Sequence, residues 1–238
     1  MRVLKASIFM FGLGVALAGA AAAQSTNDGG CPPQGDATKA KLQRLNEAKA
    51  RLDDVSDDDV DDTVTMEGIC EPGDDRLRWQ DGQGVEITAY VIAVRDGGAS
   101  SSNCHSPKSS DHDTVLELTP TQDATDSAHR VHAIVTPQWR RAVAADRVDW
   151  STGAIRAHYL QRWVIVRGWM LYNYEAAATS LHTANLPGPD IARASAWEIH
   201  PVTSIELQDD VLDQQASRHL EPDSAAGYAR SNTSSSAP

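Results

Sequence analysis

Five β-branched segments, interrupted once by a helix, constrain the fold of this chain more than any other feature. Each segment is rich in Val, Ile, Thr or aromatic residues and is bounded by polar or turn-forming residues, as strands are. The segments cover residues 84–95, 113–119, 130–136, 162–174 and 196–207. After the third segment, Thr136 can cap a helix with its side chain and Pro137 suits the first turn. We therefore predict a helix from Pro137 to about Val148.

The order strand, strand, strand, helix, strand, strand is that of the OB fold, a five-stranded Greek-key barrel. We predict a mainly β, OB-fold-like barrel over residues 79–208, with the helix between strands three and four. The two longest connections inside the barrel are residues 96–112, between strands one and two, and residues 175–195, between strands four and five. These are the loops with which OB-fold proteins bind their ligands.

The first 23 residues have the pattern of a secretory signal peptide. Arg2 and Lys5 precede an apolar run over residues 6–18, and Ala21-Ala22-Ala23 stands before Gln24 as a cleavage site would. No later run approaches the roughly 20 apolar residues that span a bilayer. We therefore expect an exported, periplasmic or extracellular protein that has no membrane segment after signal cleavage.

Net charge limits the classes of ligand. The chain has 21 Lys and Arg and 33 Asp and Glu. Without the signal peptide, which removes Arg2 and Lys5, 215 residues remain with 19 basic and 33 acidic side chains, a formal charge of −14. Nucleic-acid surfaces need clustered Lys and Arg to neutralise phosphates. We therefore expect nucleic acid to be a poor ligand, and a peptide, glycan or protein to fit better.

Residues 24–78 are predicted to contain a leader, one helix and an acidic linker. A helix over residues 37–52, which Asp36 can cap, accounts for the spacing of Leu42, Leu45, Lys49 and Leu52. Seven Asp fall within residues 53–62 but lack the order of an EF-hand, so they favour a solvated linker over a calcium site. At the other end, residues 209–238 have the composition of a disordered tail.

Two motifs carry a resemblance to a known group of proteins. Two segments resemble the "GWL" strand and the terminal "WEIHPVT" strand of exported bacterial proteins of unknown activity with an OB-type barrel. They are Arg167-Gly168-Trp169-Met170-Leu171-Tyr172 and Trp197-Glu198-Ile199-His200-Pro201-Val202-Thr203. The similarity also takes in Leu45-Asn46 and the turn Ser102-Asn103-Cys104-His105, so it spans roughly residues 40–207. It implies the barrel and the export, and it implies no enzyme activity. The chain departs from the group in its Asp-rich stretch and in Cys31 and Cys70.

Three cysteines in an exported chain predict one disulfide and one free thiol. Three pairings are possible, and we favour Cys31 with Cys70, because both lie outside the predicted barrel and would fasten the N-terminal helix. Cys104 would then be free. A nucleophilic Cys104 activated by His105 is disfavoured, since adjacent side chains on an extended backbone point apart.

Histidines in the two long connections support an alternative function. His105 and His112 lie in the first connection, with Asp111 and Asp113 beside the second of them, and His182 lies in the other connection. If the connections met at the barrel rim, these side chains could bind zinc or another divalent metal and support a metal-dependent hydrolase. No compact motif such as H-E-x-x-H occurs, so our leading expectation is a protein without a cofactor.

The last strand divides its side chains between two faces. Trp197 and Ile199 should face the core, whereas Glu198 and His200 should share the outer or rim face near a bulge or edge at Pro201. There they would form a structural hydrogen bond or perform acid–base work. Our leading interpretation is a secreted binding or scaffold module without catalytic machinery. Its candidate ligand-binding residues are Asn103, Cys104, His105, His112, Arg140, Glu198 and His200.

Overall fold

The structure is a computed structural model that describes residues 30–144, 148–183, 190–210 and 212. The predicted signal peptide and nearly all of the predicted tail lie outside the described residues. No helix within the described ranges is long and apolar enough to cross a bilayer.

Five strands close into a barrel. They are β1 (Gly84–Asp96), β2 (Thr114–Thr119), β3 (Val131–Val135), β4 (Trp163–Tyr172) and β5 (Trp197–Leu207). Neighbours follow the order β1-β2-β3-β5-β4, and β4 pairs with β1 to close the barrel. The pairing of β3 with β5 is parallel and the other four pairings are antiparallel. This mixed barrel confirms the predicted OB-fold-like architecture.

The described α-helices are α1 (Ala40–Lys49), α2 (Met66–Cys70), α3 (Pro137–Ala144) and α4 (Thr152–Tyr159). Short 3₁₀ turns cover Asp57–Asp59, Ser101–Asn103, Ser109–Asp111, Ser127–His129 and Tyr174–Thr179.

Helix α3 lies between β3 and β4, as predicted, and its predicted cap is present. Thr136 Oγ1 accepts a hydrogen bond of 3.1 Å from the backbone N of Trp139. Helix α4 was not predicted. Its cap is Ser151, whose hydroxyl accepts from the backbone N of Ala154, and only Ile155 of its residues is buried.

Alternate residues of the strands fill the barrel. Trp197 and Ile199 of β5 belong to this core and are 2% and 0% exposed, which confirms the predicted face of the last strand. Residues from the other strands complete it, among them Val85, Ile87, Leu116, Leu118, Val131, Ala133, Val164 and Val166. The predicted irregularity at Pro201 is also present as a bulge, since Gly168 pairs with Val202 whereas Met170 pairs with Ile199. A Cβ at Gly168 would collide with the Pro201 carbonyl oxygen, so this position requires glycine.

The N-terminal segment, residues 30–83, packs on the outside of the barrel. Helix α1 begins at Ala40, and the side chain of Asp36 does not cap it, since the N-cap residue is Lys39. The acidic stretch has exposed carboxylates, as expected, but it is fastened to the barrel rather than free. Val55 is buried, Val60 forms a parallel bridge with Gly84, and Asp57 pairs with Arg167 at 2.6 Å.

Candidate ligand-binding site

The disulfide joins Cys31 to Cys104, with Cα atoms 5.7 Å apart, so the predicted pairing of Cys31 with Cys70 is wrong. The backbone N of Asp36 donates to the Ser101 carbonyl oxygen at 3.1 Å, which brings the start of the N-terminal segment against the first long loop, residues 97–113. Cys104 follows a 3₁₀ turn there, in the left-handed region at φ 51°. The bond therefore fastens the N-terminal segment to this loop.

Cys70 is the free cysteine of the described chain. It ends α2 and packs against the barrel core, which separates it from Cys31. Burial raises the pKa of its thiol to about 12, and the negative charges of Glu67 and Asp126 add to this effect. Since the thiolate is the reactive form, Cys70 is a poor nucleophile at neutral pH.

Two of the candidate ligand-binding residues in the first long loop, Asn103 and His105, differ in their surroundings. Asn103 is buried, and its side chain accepts from the backbone N of Ser100 at 2.8 Å and donates to the Gly98 carbonyl oxygen at 3.0 Å. His105 is exposed, and its Nε2 lies 3.6 Å from Asp36 Oδ2, beyond hydrogen-bond distance. Asn103 therefore shapes the loop, and His105 points to solvent.

His112 and Arg140 also hold the loop in place. The two ring nitrogens of His112 are each 2.7 Å from an acceptor, Nδ1 from Asp96 Oδ1 and Nε2 from the Ser106 carbonyl oxygen. Burial alone would lower the pKa of His112, but these two acceptors outweigh it and the pKa is raised. Arg140 donates to Thr114 Oγ1 at 2.7 Å and to the carbonyl oxygen of His112. Both side chains are engaged by the chain itself.

The three predicted metal ligands, His105, His112 and His182, are not assembled into a metal site. Within the described ranges, no group of three or more His, Cys, Asp or Glu side chains is arranged to hold a metal ion. Both nitrogens of His112 are committed to hydrogen bonds. His182 Nε2 is buried without a hydrogen-bond partner.

Glu198 and His200 lie on the face of β5 opposite the core, as predicted, yet they are 2% and 3% exposed rather than at an open surface. Residues around the end of α1 cover this face, since Glu47, Ala48 and Arg51 line a cavity together with His200. The period of a strand determines which side chains share a face, but it does not reveal what packs on that face.

Glu198 is the centre of a buried polar network. Its Oε2 accepts from Arg193 Nη1 at 2.6 Å, and its Oε1 accepts from Asn173 Nδ2 at 3.1 Å. His200 Nδ1 lies 2.8 Å from the same Oε1. Arg193 Nη1 also lies 3.2 Å from His132 Nδ1 on β3. The network therefore links β3 and β5 with the second long loop, residues 173–196, in which Asn173 and Arg193 lie.

Charge states in the network follow from its contacts. Burial alone would raise the pKa of Glu198, but the positive charge of Arg193 and the hydrogen bond from His200 outweigh it and lower the pKa. Burial, helped by Arg193, lowers the pKa of His132 to about 3. At neutral pH Glu198 is therefore ionised and His132 is neutral, with its Nδ1 accepting from Arg193.

Two polar atoms of the network, His132 Nε2 and His200 Nε2, are buried without a partner, and His200 also lines a cavity. His200 Nε2 is buried without a hydrogen bond. Because Nδ1 faces an ionised carboxylate, Nδ1 carries a hydrogen, and Nε2 is the ring nitrogen left without a partner. His200 lines a cavity of about 430 Å³, which we call the His200 cavity. An unpaired polar atom on a side chain that lines a cavity of this size is a feature of a ligand site.

The walls of the His200 cavity come from the N-terminal segment and from β4. Arg51 stacks on Trp169, with its guanidinium carbon 3.3 Å from the ring centroid, and its Nε donates to Asp53 Oδ1 at 2.7 Å. Asp81 Oδ1 accepts from the backbone N of Tyr172 at 2.6 Å. These bonds fix the positions of the charged groups around the cavity.

Sequence reasoning missed Arg193, Asn173 and His132. Arg193 and Asn173 lie in an irregular loop, where no periodic pattern marks a buried residue. His132 carried a usable signal, because it alternates with the core residues Val131 and Ala133 and so faces the outer side, where β3 pairs with β5.

No protein-family model matches the sequence, and no curated protein is significantly similar to it. The geometry of the buried network and of the His200 cavity is therefore the basis for a functional assignment.

Proposed function

We propose that this protein is an exported OB-fold-like binding or scaffold module for a peptide, glycan or protein ligand. Export has two supports, the Ala21-Ala22-Ala23 pattern before Gln24 and the Cys31–Cys104 disulfide. Disulfides persist in oxidising compartments such as the periplasm.

The observation that carries the binding proposal is the unpaired Nε2 of His200 beside the cavity. A buried polar atom without a partner destabilises the fold by about 1–3 kcal/mol, and a hydrogen-bond partner on a ligand would offset that cost. Glu198 holds the ring through Nδ1, so Nε2 is oriented before the ligand arrives.

The binding site proposed is the His200 cavity rather than the rim loops expected from the OB fold. In the first long loop, Cys104 is committed to a disulfide, and Asn103, His112 and Arg140 are committed to hydrogen bonds within the chain. These residues build a rigid support, whereas His200 retains an unpaired ring nitrogen.

The metal-dependent hydrolase has less support, because His112 has no free lone pair and is held in place by Asp96. Nucleic acid is also the weaker ligand class, since acidic residues outnumber basic ones 33 to 21 in the chain.

The test is a binding screen with the protein purified from the exported fraction. Labelled wild-type protein, His200→Phe and the control His129→Phe are compared on one peptide library and one oligosaccharide library. His129 is exposed and lines a different cavity, which shares no residue with the His200 cavity. We expect ligands that bind wild type and the control but not His200→Phe, with urea unfolding used to verify that each variant is folded.

Two results would contradict the proposal. One is a set of ligands that bind all three proteins equally, which would place the site elsewhere. The other is stoichiometric zinc or manganese in the purified wild type, which would favour the hydrolase. The mass of the same sample also reports whether the N-terminus lies at Gln24.

A further inference from the structure

The imidazole of His132 is buried where the second long loop meets the barrel. Its Nδ1 lies 3.2 Å from Arg193 Nη1, and Nδ1 is the acceptor because a guanidinium nitrogen can only donate. Its Nε2 is buried and has no hydrogen-bond partner among the described residues. A protonated ring would carry a hydrogen on each nitrogen, one directed at another donor and the other without an acceptor. Only the neutral ring therefore fits the contacts of this junction.

The charges around His132 also favour the neutral ring. Burial is the largest cause of its lowered pKa, which is about 3. Three neighbouring cations add to this effect and one carboxylate opposes it, namely Arg193, Arg95 and Arg130 against Glu198. Protonation of His132 would place a new positive charge among these cations.

Two further titratable groups lie beside this junction. Glu117 of β2 is opposite His132 in the β2–β3 ladder, but its carboxylate is paired with Arg95 at 2.8 Å and with Arg130 at 3.2 Å. His200 of β5 lies on the far side of Glu198, 2.8 Å from its Oε1. Glu117 is thus already engaged by two cations, and His200 shares its carboxylate with the network.

The loop is the part of the junction that can move. His132 and Glu198 lie on β3 and β5, which the closed barrel holds in place, whereas Arg193 lies outside the strands. If Arg193 leaves, Glu198 loses its buried counter-charge. A protonated His132 can replace that charge, because the field of Glu198 already reaches the ring and acts to raise its pKa.

We infer that the contact of Arg193 with His132 and Glu198 is an acid-sensitive latch, which releases residues 190–194 of the second long loop when His132 takes up a proton. One proton passes from solvent to His132, and one guanidinium passes from the interior into water. Each state has a single buried cation beside Glu198, Arg193 in the closed state and His132 in the released state. The inference does not depend on the identity of the ligand.

One backbone amide in the released segment reports its opening. The N of Ala194 donates to the carbonyl oxygen of Arg130, the residue before β3, at 2.8 Å. This amide is protected from hydrogen exchange while the segment is closed. The reference is the N of Val91 on β1, which donates to the Arg162 carbonyl oxygen at 3.0 Å and belongs to a fully buried barrel residue.

The test measures hydrogen exchange of both amides by NMR in the full exported protein. Protection factors, which correct for the intrinsic effect of pH on exchange, are compared at pH 7 and pH 5 and in 0 and 1 M urea. His132→Gln retains an oxygen that can accept from Arg193 but does not titrate. The matched control is His129→Gln, which replaces an exposed histidine.

The protection of Ala194 should fall by about 25-fold from pH 7 to pH 5 in wild type and in His129→Gln. This factor follows from a His132 pKa of about 3 in the closed state and an ordinary pKa near 6.5 in the released state. In His132→Gln the protection should change less than about threefold. Urea at 1 M should leave Ala194 unaffected and lower the protection of Val91, since local opening exposes little surface.

Three results would overturn the latch. If urea lowers the protection of Ala194 as steeply as that of Val91, the segment is released only when the whole protein unfolds. If the protection of Ala194 is the same at pH 7 and pH 5, acid does not open the segment. If His132→Gln shows the same fall as wild type, another group such as His200 is the sensor. The first two results are obtained with wild type alone, so they decide the inference even if His132→Gln does not fold.

Discussion

Arg193 Nη1 and Glu198 Oε2 lie 2.6 Å apart, and both side chains are more than nine-tenths buried. Removing two charges from water is costly, so a buried pair is tolerated where further hydrogen bonds satisfy the remaining atoms. Here Asn173 and His200 bind the other carboxylate oxygen. The ion pair thereby supports the imidazole on which the proposed function depends.

Arg193→Met should destabilise the protein by about 3–5 kcal/mol, because it leaves the Glu198 carboxylate buried without its partner. The matched control is Arg76→Met, which breaks the exposed ion pair with Asp74 and should have no measurable effect on unfolding. Urea unfolding of both variants provides the comparison. Similar midpoints for the two variants would mean that Glu198 is not isolated from solvent.

The stability of the protein should fall as the pH is lowered from 6 to 5, and His132 should be a cause. Its pKa is about 3 in the folded protein, below the usual value near 6.5, so the unfolded chain takes up a proton that the folded protein does not. The contribution of His132 to the free energy of unfolding is complete above pH 6.5. It decreases as the pH falls, by at most about 1.4 kcal/mol per pH unit.

His132→Gln should flatten this dependence, since Gln retains an oxygen that can accept from Arg193 but does not titrate. Urea unfolding at pH 5, 5.5 and 6 measures the slope for both proteins. The raised pKa of His112 acts in the opposite sense, with its stabilisation complete below about pH 6.5 and lost at higher pH. The difference in slope between the two proteins therefore reports His132, because the other titrating groups are common to both. Equal slopes would show that His132 titrates alike in both states.

Loss of the disulfide should lower the free energy of unfolding, because the bond closes a long loop of chain. Cys31 and Cys104 are 73 residues apart in sequence, and the chain-entropy relation gives about 4 kcal/mol for a loop of this size. Cys31→Ser should lower the urea midpoint accordingly. Cys70→Ser should have a smaller effect, and peptide mapping without reductant should recover a peptide pair containing Cys31 and Cys104. A recovered pair containing Cys70 would contradict the structure.

Trp197→Ala should cost on the order of 3–5 kcal/mol, as removal of a large core side chain does. The substitution removes the buried ring, and it also removes the hydrogen bond of 2.8 Å from Trp197 Nε1 to the Asp75 carbonyl oxygen. Leu77→Ala is the control, because Leu77 is 96% exposed and should tolerate truncation. A small loss for both variants would mean that β5 has the wrong register in the barrel.

The architecture was predictable because it depends on local patterns. Runs of β-branched and aromatic residues marked the five strands, and the pair Thr136-Pro137 marked the start of α3. Helix α4 was missed because Ile155 is its only buried residue, too little apolar repetition for a helical period. A period of two also placed Glu198 and His200 on one face, as found.

The candidate site could not be predicted in the same way, because it depends on contacts between distant parts of the chain. Burial of His200 requires the end of α1 to cover β5, and the strand pattern contains no information about that packing. The pairing of Cys31 with Cys104 depends in the same way on contact between the N-terminal segment and the first long loop, which the hydrogen bond from Asp36 N to the Ser101 carbonyl oxygen helps to form. Arg193, in an irregular loop, had no periodic signal.

The N-terminal segment, residues 30–83, serves folding and recognition through different parts. All five strands begin at or after Gly84, but Val64, Met66 and Ile69 of the segment belong to the barrel core. The His200 cavity, in contrast, takes one wall from Glu47, Ala48 and Arg51 and another from β4. A protease that cut between Arg51 and Gly84 and released the N-terminal helix would spare every strand and abolish the pocket. Only the disulfide to Cys104 would keep the released piece attached, so cleavage combined with reduction would act as an irreversible off-switch for binding.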